Sequence, residues 1–160
     1  EPWNGIRAVR SSKIDAVQVI YNIFDQNPKD ELFPACEEMN VAVIARVPFD
    51  EGTLTGTLTK ETTFPADDWR SGYFSPENLG ASVDRAEALR PLTPEGSSMP
   101  EMALRFILSH PAVSTIIPGM RKIRNVEANA AASEAGPLPD ALMDKLRGHR
   151  WVRRPAPWSD

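Results

Sequence analysis

The sequence predicts an α/β protein built on parallel strands, and three observations carry that expectation. Short runs rich in Val and Ile at 16–20, 41–45 and 113–117 lack strict apolar/polar alternation, as strands do when both sheet faces are covered. Segments with apolar residues at helical spacing separate them. The resulting order is helix, strand, helix, strand, long loop, two helices, strand, helix, helix, the alternation that produces right-handed βαβ units.

Each element has its own signals. A first helix is expected over 3–10. In the run 16–20, Gln18 interrupts the apolar residues, and a polar side chain in a buried strand needs a partner: a ligand amide or a neighbouring backbone. Asn27-Pro28 reads as an N-cap and first-turn proline, opening a helix to about Asn40. Weak periodicity marks 47–78, where Gly52, Gly56, Gly72, Pro48, Pro65 and Pro76 fall; so long a loop in a compact domain is usually functional or disordered. Leu79, Val83 and Ala86 recur at helical spacing. Ser98 and Glu101 form a capping-box pattern before Met99, Ala103, Phe106 and Ile107. Ile123, Val126 and Ala130 stripe the helix after the third strand, and Leu138, Leu142, Met143 and Leu146 stripe the last. No internal repeat or low-complexity tract interrupts 1–160, which reads as a single domain.

Composition narrows the function classes. With 41% hydrophobic and 25% charged residues, the 160-residue chain is ordinary globular protein with enough length for a core. A net charge of −4 speaks against nucleic acid as a partner. No apolar run approaches the roughly 18 residues of a membrane span. One cysteine, Cys36, excludes an internal disulfide and suits a reducing cytoplasm; mid-helix, it reads as a small core residue. The chain opens on Glu1 rather than Met, so a fragment, a processed product and part of a longer protein are all open.

Ligands in parallel α/β folds bind where strands end and helices begin. After the third strand the chain reads Ile117-Pro118-Gly119-Met120-Arg121-Lys122-Ile123-Arg124-Asn125. Cations at a helix N-terminus oppose its dipole, which leaves two readings: a bound anion that Arg121 grips bidentately, or a solvated charged turn. After the second strand, Gly52 and Gly56 flank Thr53 and Thr55, where backbone N–H groups can approach a pyrophosphate; the other reading is a surface loop with turn glycines. Asp50 and Glu51 oppose an anion there unless they point away or pair with Arg46. Metal-ligand spacing and a nucleophilic triad motif are absent. His110, in Ser109-His110-Pro111, reads as a C-terminal helix cap. Arg147, His149, Arg150, Arg153 and Arg154 read as a solvated terminal face. Trp69, Tyr73 and Phe74 either line a pocket or anchor the long loop.

The runs Gln18-Val-Ile-Tyr-Asn-Ile-Phe-Asp25, Val43-Ile-Ala-Arg-Val-Pro-Phe-Asp-Glu-Gly-Thr-Leu-Thr-Gly56 and Ile116-Ile-Pro-Gly-Met-Arg-Lys-Ile-Arg-Asn-Val-Glu-Ala-Asn129 strongly resemble aldo-keto reductases, in the family's order. The resemblance implies a (β/α)₈ TIM barrel, of which this chain supplies three βα units, strands six to eight; the alternative is the visible part of a complete barrel. It implies NADP(H) as cofactor and reversible hydride transfer to aldehydes or ketones. By resemblance, Gln18 meets the nicotinamide carboxamide, and the loop carrying Pro48, Phe49, Gly52, Leu54 and Gly56 drapes over the pyrophosphate. Gly119 and Met120 lead to Arg121 at the 2′-phosphate, with Asn125 and Asn129 toward the adenosine. Arg46 stands where many members carry a nicotinamide-stacking aromatic, a departure that its planar guanidinium can accommodate. The family's catalytic Tyr, Lys, Asp and His lie, by resemblance, in the first half of the barrel, so no catalytic residue is expected here. Tyr21 and Tyr73 do not match the catalytic position.

Three strands cannot close a barrel. The expected partners are therefore a second copy, a separate chain supplying the complementary N-terminal half-barrel, or a preceding part of the same polypeptide. The rival to the oxidoreductase reading is a non-catalytic module that oligomerises or binds nucleotide.

Overall fold

The computed structural model describes residues 2–151. Helix α1 (Pro2–Arg10) leads to strand β1 (Ala16–Ile20), helix α2 (Pro28–Met39) and strand β2 (Ala42–Arg46). A run of 3₁₀ turns (Asp50–Thr55), the short helix α3 (Arg70–Tyr73) and helix α4 (Pro76–Leu89) follow. Helix α5 (Met99–Leu108), strand β3 (Val113–Ile116), helix α6 (Ile123–Glu134) and helix α7 (Asp140–Arg147) complete the order. The expected alternation is present, and 47–78 is less structureless than the sequence implied.

The sheet is parallel throughout, in the order β1-β2-β3. Val17 pairs with Val43 and Val19 with Ala45, and Val43 and Ala45 are fully buried on the side where α2 and α5 pack. The other face carries Ala16, Gln18 and Ile20 of β1, Ala42, Ile44 and Arg46 of β2, and Thr115 of β3, all exposed or half-buried. The expectation of two covered faces is therefore met on one side only. The sequence is apolar at Ile20 and Ile44, yet the described residues leave both only half-buried.

The core lies between the sheet and the helices. Tyr21, Phe24, Phe33, Leu54, Met102, Phe106 and Leu146 are among its large, fully buried members. Tyr21 meets Phe33 edge-on at 4.9 Å and stacks with Phe106 at 5.8 Å. Fully burying such a side chain contributes roughly 1.5–3 kcal/mol. Cys36 is buried among them, as the sequence implied. A smaller cluster of Phe74, Leu79 and Val83, joined by Leu58, Phe64 and Tyr73, pins the long loop to α4. Phe74 thus serves as an anchor.

Four local expectations change. Asn27 adopts helical φ/ψ without capping α2; its side chain accepts from Arg150 instead, and Pro28 alone sets the helix start. Ser98 caps α5 by accepting the Glu101 N–H at 3.2 Å, but the Glu101 carboxylate turns to Arg105 rather than completing the box. His110 does not cap α5: its Nδ1 accepts the Ala112 N–H at 3.2 Å and its ring packs on Phe33 at 4.7 Å. The stripe of Ile123, Val126 and Ala130 does lie on a helix, but an exposed one, with Ile123 79% accessible. In the basic terminal cluster, Arg147 pairs with Asp144 and Arg150 with Asp30, while Arg153 and Arg154 lie outside the described residues.

Candidate functional site

Beyond Arg46 the backbone leaves β2 by an unusual route. Val47, Asp50, Glu51 and Gly52 have φ of 55°, 51°, 57° and 108°. Only Gly52 adopts such a value freely; left-handed φ costs an L-residue roughly 1–2 kcal/mol and is least tolerable for β-branched Val47. Strain of this kind persists where surrounding structure imposes it, and it clusters at ligand sites.

The imposing contacts are visible. Asn22, fully buried, donates from Nδ2 to the Val47 carbonyl at 3.0 Å, while its Oδ1 accepts the N–H groups of Phe24 and Asp25, both at 2.9 Å. Pro48 and Leu54 are buried beneath the loop. At the far end Gly56, φ 69°, receives an Arg90 hydrogen bond on its carbonyl at 3.4 Å and lies against Met99.

This loop is one wall of an open cleft of about 820 Å³ at the carboxyl ends of the strands. Val47, Pro48, Phe49, Glu51, Gly52 and Thr55 line it from the β2 side, and Ile117, Gly119 and Arg121 from the β3 side. A third wall comes from Pro65, Asp67, Asp68, Trp69 and Arg70. Asp68 accepts from the Arg70 backbone N–H and from Arg70 Nε, each at 3.0 Å, and the Arg70 guanidinium lies 4.7 Å over the Phe64 ring. These Arg70 bonds, with a smaller pull from Arg121, hold the Asp68 carboxyl down at about 2. Arg121 therefore faces a carboxylate that stays ionised, yet it forms no ion pair with a described residue.

The residues singled out in the sequence fall into three groups. Pro48, Phe49, Gly52, Gly119 and Arg121 line the cleft together. Gln18 and Arg46 stand exposed on the open sheet face, on adjacent strands. The others lie beside the cleft. Leu54 is wholly buried, so its side chain belongs to the core; Gly56 closes the loop. Met120 and Asn129 line a smaller hollow against α5, Asn129 donating to the Gly119 carbonyl at 3.3 Å, and Asn125 is exposed on α6. Tyr21 is turned to the helix side and buried, which pushes its hydroxyl up to about 12. Tyr73 sits in the Phe74 cluster against Trp69.

Two contributions were missed. Asn22 escaped notice because a lone Asn after a strand is ordinary turn chemistry; its long-range bond to Val47 leaves no trace in spacing. The Asp68–Arg70 pair was hidden in the weakly periodic loop.

What the cleft offers is the exposed Arg121 cation, the Arg70–Asp68 pair, the carboxylates of Glu51 and Asp67, Phe49 and Trp69 as apolar surfaces, and a backbone held at positive φ between Val47 and Gly52. Residues 3–150 match the aldo/keto reductase family. The uncharacterized oxidoreductase YqkF of Bacillus subtilis is 28% identical over 141 residues, covering 88% of this chain and 44% of YqkF. The NADH-specific methylglyoxal reductase of Escherichia coli is 29% identical over 121 residues, 75% of this chain and 37% of that enzyme. Among solved structures, the holo form of aldo-keto reductase AKR11C1 from Bacillus halodurans superposes with a TM-score of 0.68 at 27% identity, over 96% of this chain and 47% of that one. The chain thus spans less than half the length of each.

Proposed function

The chain belongs to the aldo/keto reductase family, and from that premise we propose that 1–160 is the nucleotide-binding part of an NADPH-dependent carbonyl reductase. Its three βα units are part of a (β/α)₈ barrel. The single observation that carries the reading is the convergence of the loops after β2 and β3 on one cleft, with Arg121 at its mouth.

The residues present fit such a cofactor. Gln18 and Arg46 are polar groups standing on a sheet face that also carries Ile20 and Ile44. Once that face is covered, each needs a partner, and a nicotinamide ring with its carboxamide supplies one to both. The strained segment 47–52 would receive the pyrophosphate on its backbone. Arg121 would fork onto the 2′-phosphate, with Asn125 and Asn129 toward the adenosine. A Cβ at Gly119 would meet nothing within 4 Å, so the approach on that side is open. When bound, the reduced nicotinamide supplies a hydride to the carbonyl carbon of an aldehyde or ketone.

The proton for the carbonyl oxygen must come from elsewhere. Tyr21, at about 12 and facing the helices, is mismatched to proton transfer near neutral pH and lies away from the cleft. We assign the catalytic Tyr, Lys, Asp and His to the part of the barrel that pairs with these strands. Arg121 is the basis for NADPH over the NADH named for the Escherichia coli relative.

The test is carbonyl reduction by the protein with its barrel completed. Loss of NADPH absorbance with a panel of aldehydes and ketones is expected. Arg121→Ala should raise KM for NADPH by about tenfold or more, as loss of a charge-assisted hydrogen bond implies, with less effect for NADH. Failure to oxidise either cofactor with any carbonyl overturns the reading. The open sheet face favours one second reading, a non-catalytic module that assembles; a stable oligomer indifferent to both nucleotides would establish it.

A further inference from the structure

We infer that Asn22 is a positioning residue, whose side chain holds the loop after β2 in the form that receives the cofactor. The inference rests on the cofactor reading above, but its grounds are separate. Val47 is a β-branched residue held at φ 55°, and its carbonyl accepts two hydrogen bonds: the Asp50 N–H at 3.1 Å and Asn22 Nδ2 at 3.0 Å. The first bond is local and closes the turn. The second spans 25 positions and ties the turn to the end of β1.

Asn22 is itself fixed. Its Oδ1 accepts from Phe24 and Asp25, and the Asp25 carbonyl accepts the Asn22 N–H at 3.1 Å, so its rotamer is set before it reaches Val47. An amide is required for this geometry. One end must accept two N–H groups while the other donates to a carbonyl, which neither Asp nor Leu can do. Asn22 thus couples two neighbouring strand ends. Gln18, on β1, and the loop 47–52, after β2, keep a constant relation, and the nicotinamide and the pyrophosphate of one extended dinucleotide meet surfaces at a fixed separation. Asn22 does not itself line the cleft; it acts through Val47, which does.

The test is Asn22→Asp, which keeps the acceptor for Phe24 and Asp25 and loses the donor to Val47. The two N–H bonds favour the ionised carboxylate. Amide hydrogen exchange at 47–52 should quicken while the amides of β1 and β2 keep their protection. The dissociation constant for NADPH should rise about tenfold, the size of one lost buried hydrogen bond. Adding Val47→Gly removes the steric objection to φ 55°, so the double variant should bind within about threefold of the parent. Should Asn22→Asp not fold, Asn22→Ser, whose hydroxyl keeps the turn but does not reach Val47, is read the same way.

Unchanged exchange at 47–52 overturns the inference. So does unaltered NADPH affinity in Asn22→Asp, or a loss that Val47→Gly fails to recover while exchange rises through the whole sheet. A parent protein that binds no nucleotide counts against the proposed function alone, because the exchange measurement still decides whether Asn22 holds the loop.

Discussion

Arg121 and His110 show how differently single residues of this chain are constrained. Arg121 is exposed in the cleft near an ionised Asp68, and its substitution by Ala should weaken nucleotide binding while leaving stability within about 0.5 kcal/mol, the range of surface changes away from buried features. Chemical denaturation beside the binding assay checks both halves. His110 is half-buried against Tyr21 and Phe33, where burial, aided by Lys29 and Arg147, lowers its pKa against the smaller opposing pull of Glu37. Its Nδ1 accepts the Ala112 N–H, so protonation would remove an acceptor as well as bury a charge. With the folded pKa depressed, the stabilisation from neutral His110 is present above the ordinary value of 6.5 and is lost as pH falls through the lowered folded pKa. An NMR titration should find its midpoint below the ordinary 6.5; a midpoint at or above 6.5 would contradict this. At this scale the sequence was informative where chemistry is local. Gly52, Gly119 and Arg121 lie together in the cleft because turn and charge signals sit beside strand ends. The burial of the Leu54 side chain and the contacts of His110 were not legible, because they depend on neighbours distant in sequence.

Elements were legible to the extent that their signals were periodic. The apolar runs gave β1, β2 and β3, and Leu79, Val83 and Ala86 lie buried on α4 as their spacing required. The start of α4 at Pro76, capped by Ser75, was hidden because its first turn carries no apolar stripe. The spacing of Ile123, Val126 and Ala130 correctly indicated a helix, but periodicity reports which face is apolar, not what covers it. α2 and α5 share a core through Phe33 and Phe106, each of which packs on Tyr21. Phe106→Ala should cost about 3–5 kcal/mol by emptying that contact, read as a lower urea midpoint. A loss under 1 kcal/mol would mean that the helices do not share a core. The long loop should respond separately. Phe74→Ala dismantles the small cluster with Leu79 and Val83 and should speed proteolysis within 57–75 while α2 and α5 stay protected.

For the whole molecule, the decisive feature is a parallel sheet with one face only partly covered and two edges that pair with no further strand among the described residues. Ile20, Ile44 and the exposed Ile123 and Val126 are apolar where an ordinary surface would be polar. Residues 1–160 on their own should therefore bind a hydrophobic dye or self-associate, and a complementary half-barrel should abolish both; a dye-silent monomer would contradict this. The sequence implied two covered faces because it is written for them, and the structure shows only the half that these residues can cover. No helix among the described residues is long and apolar enough to cross a membrane. On the proposed reading these residues hold the nucleotide's phosphates, and titration of the protein with NADPH and with NADH, followed by tryptophan fluorescence, tests it. Saturable binding is expected, quenching Trp69 in the cleft, preferring NADPH and losing that preference in Arg121→Ala. Equal affinity for the two nucleotides, or a preference that survives the loss of Arg121, would contradict it.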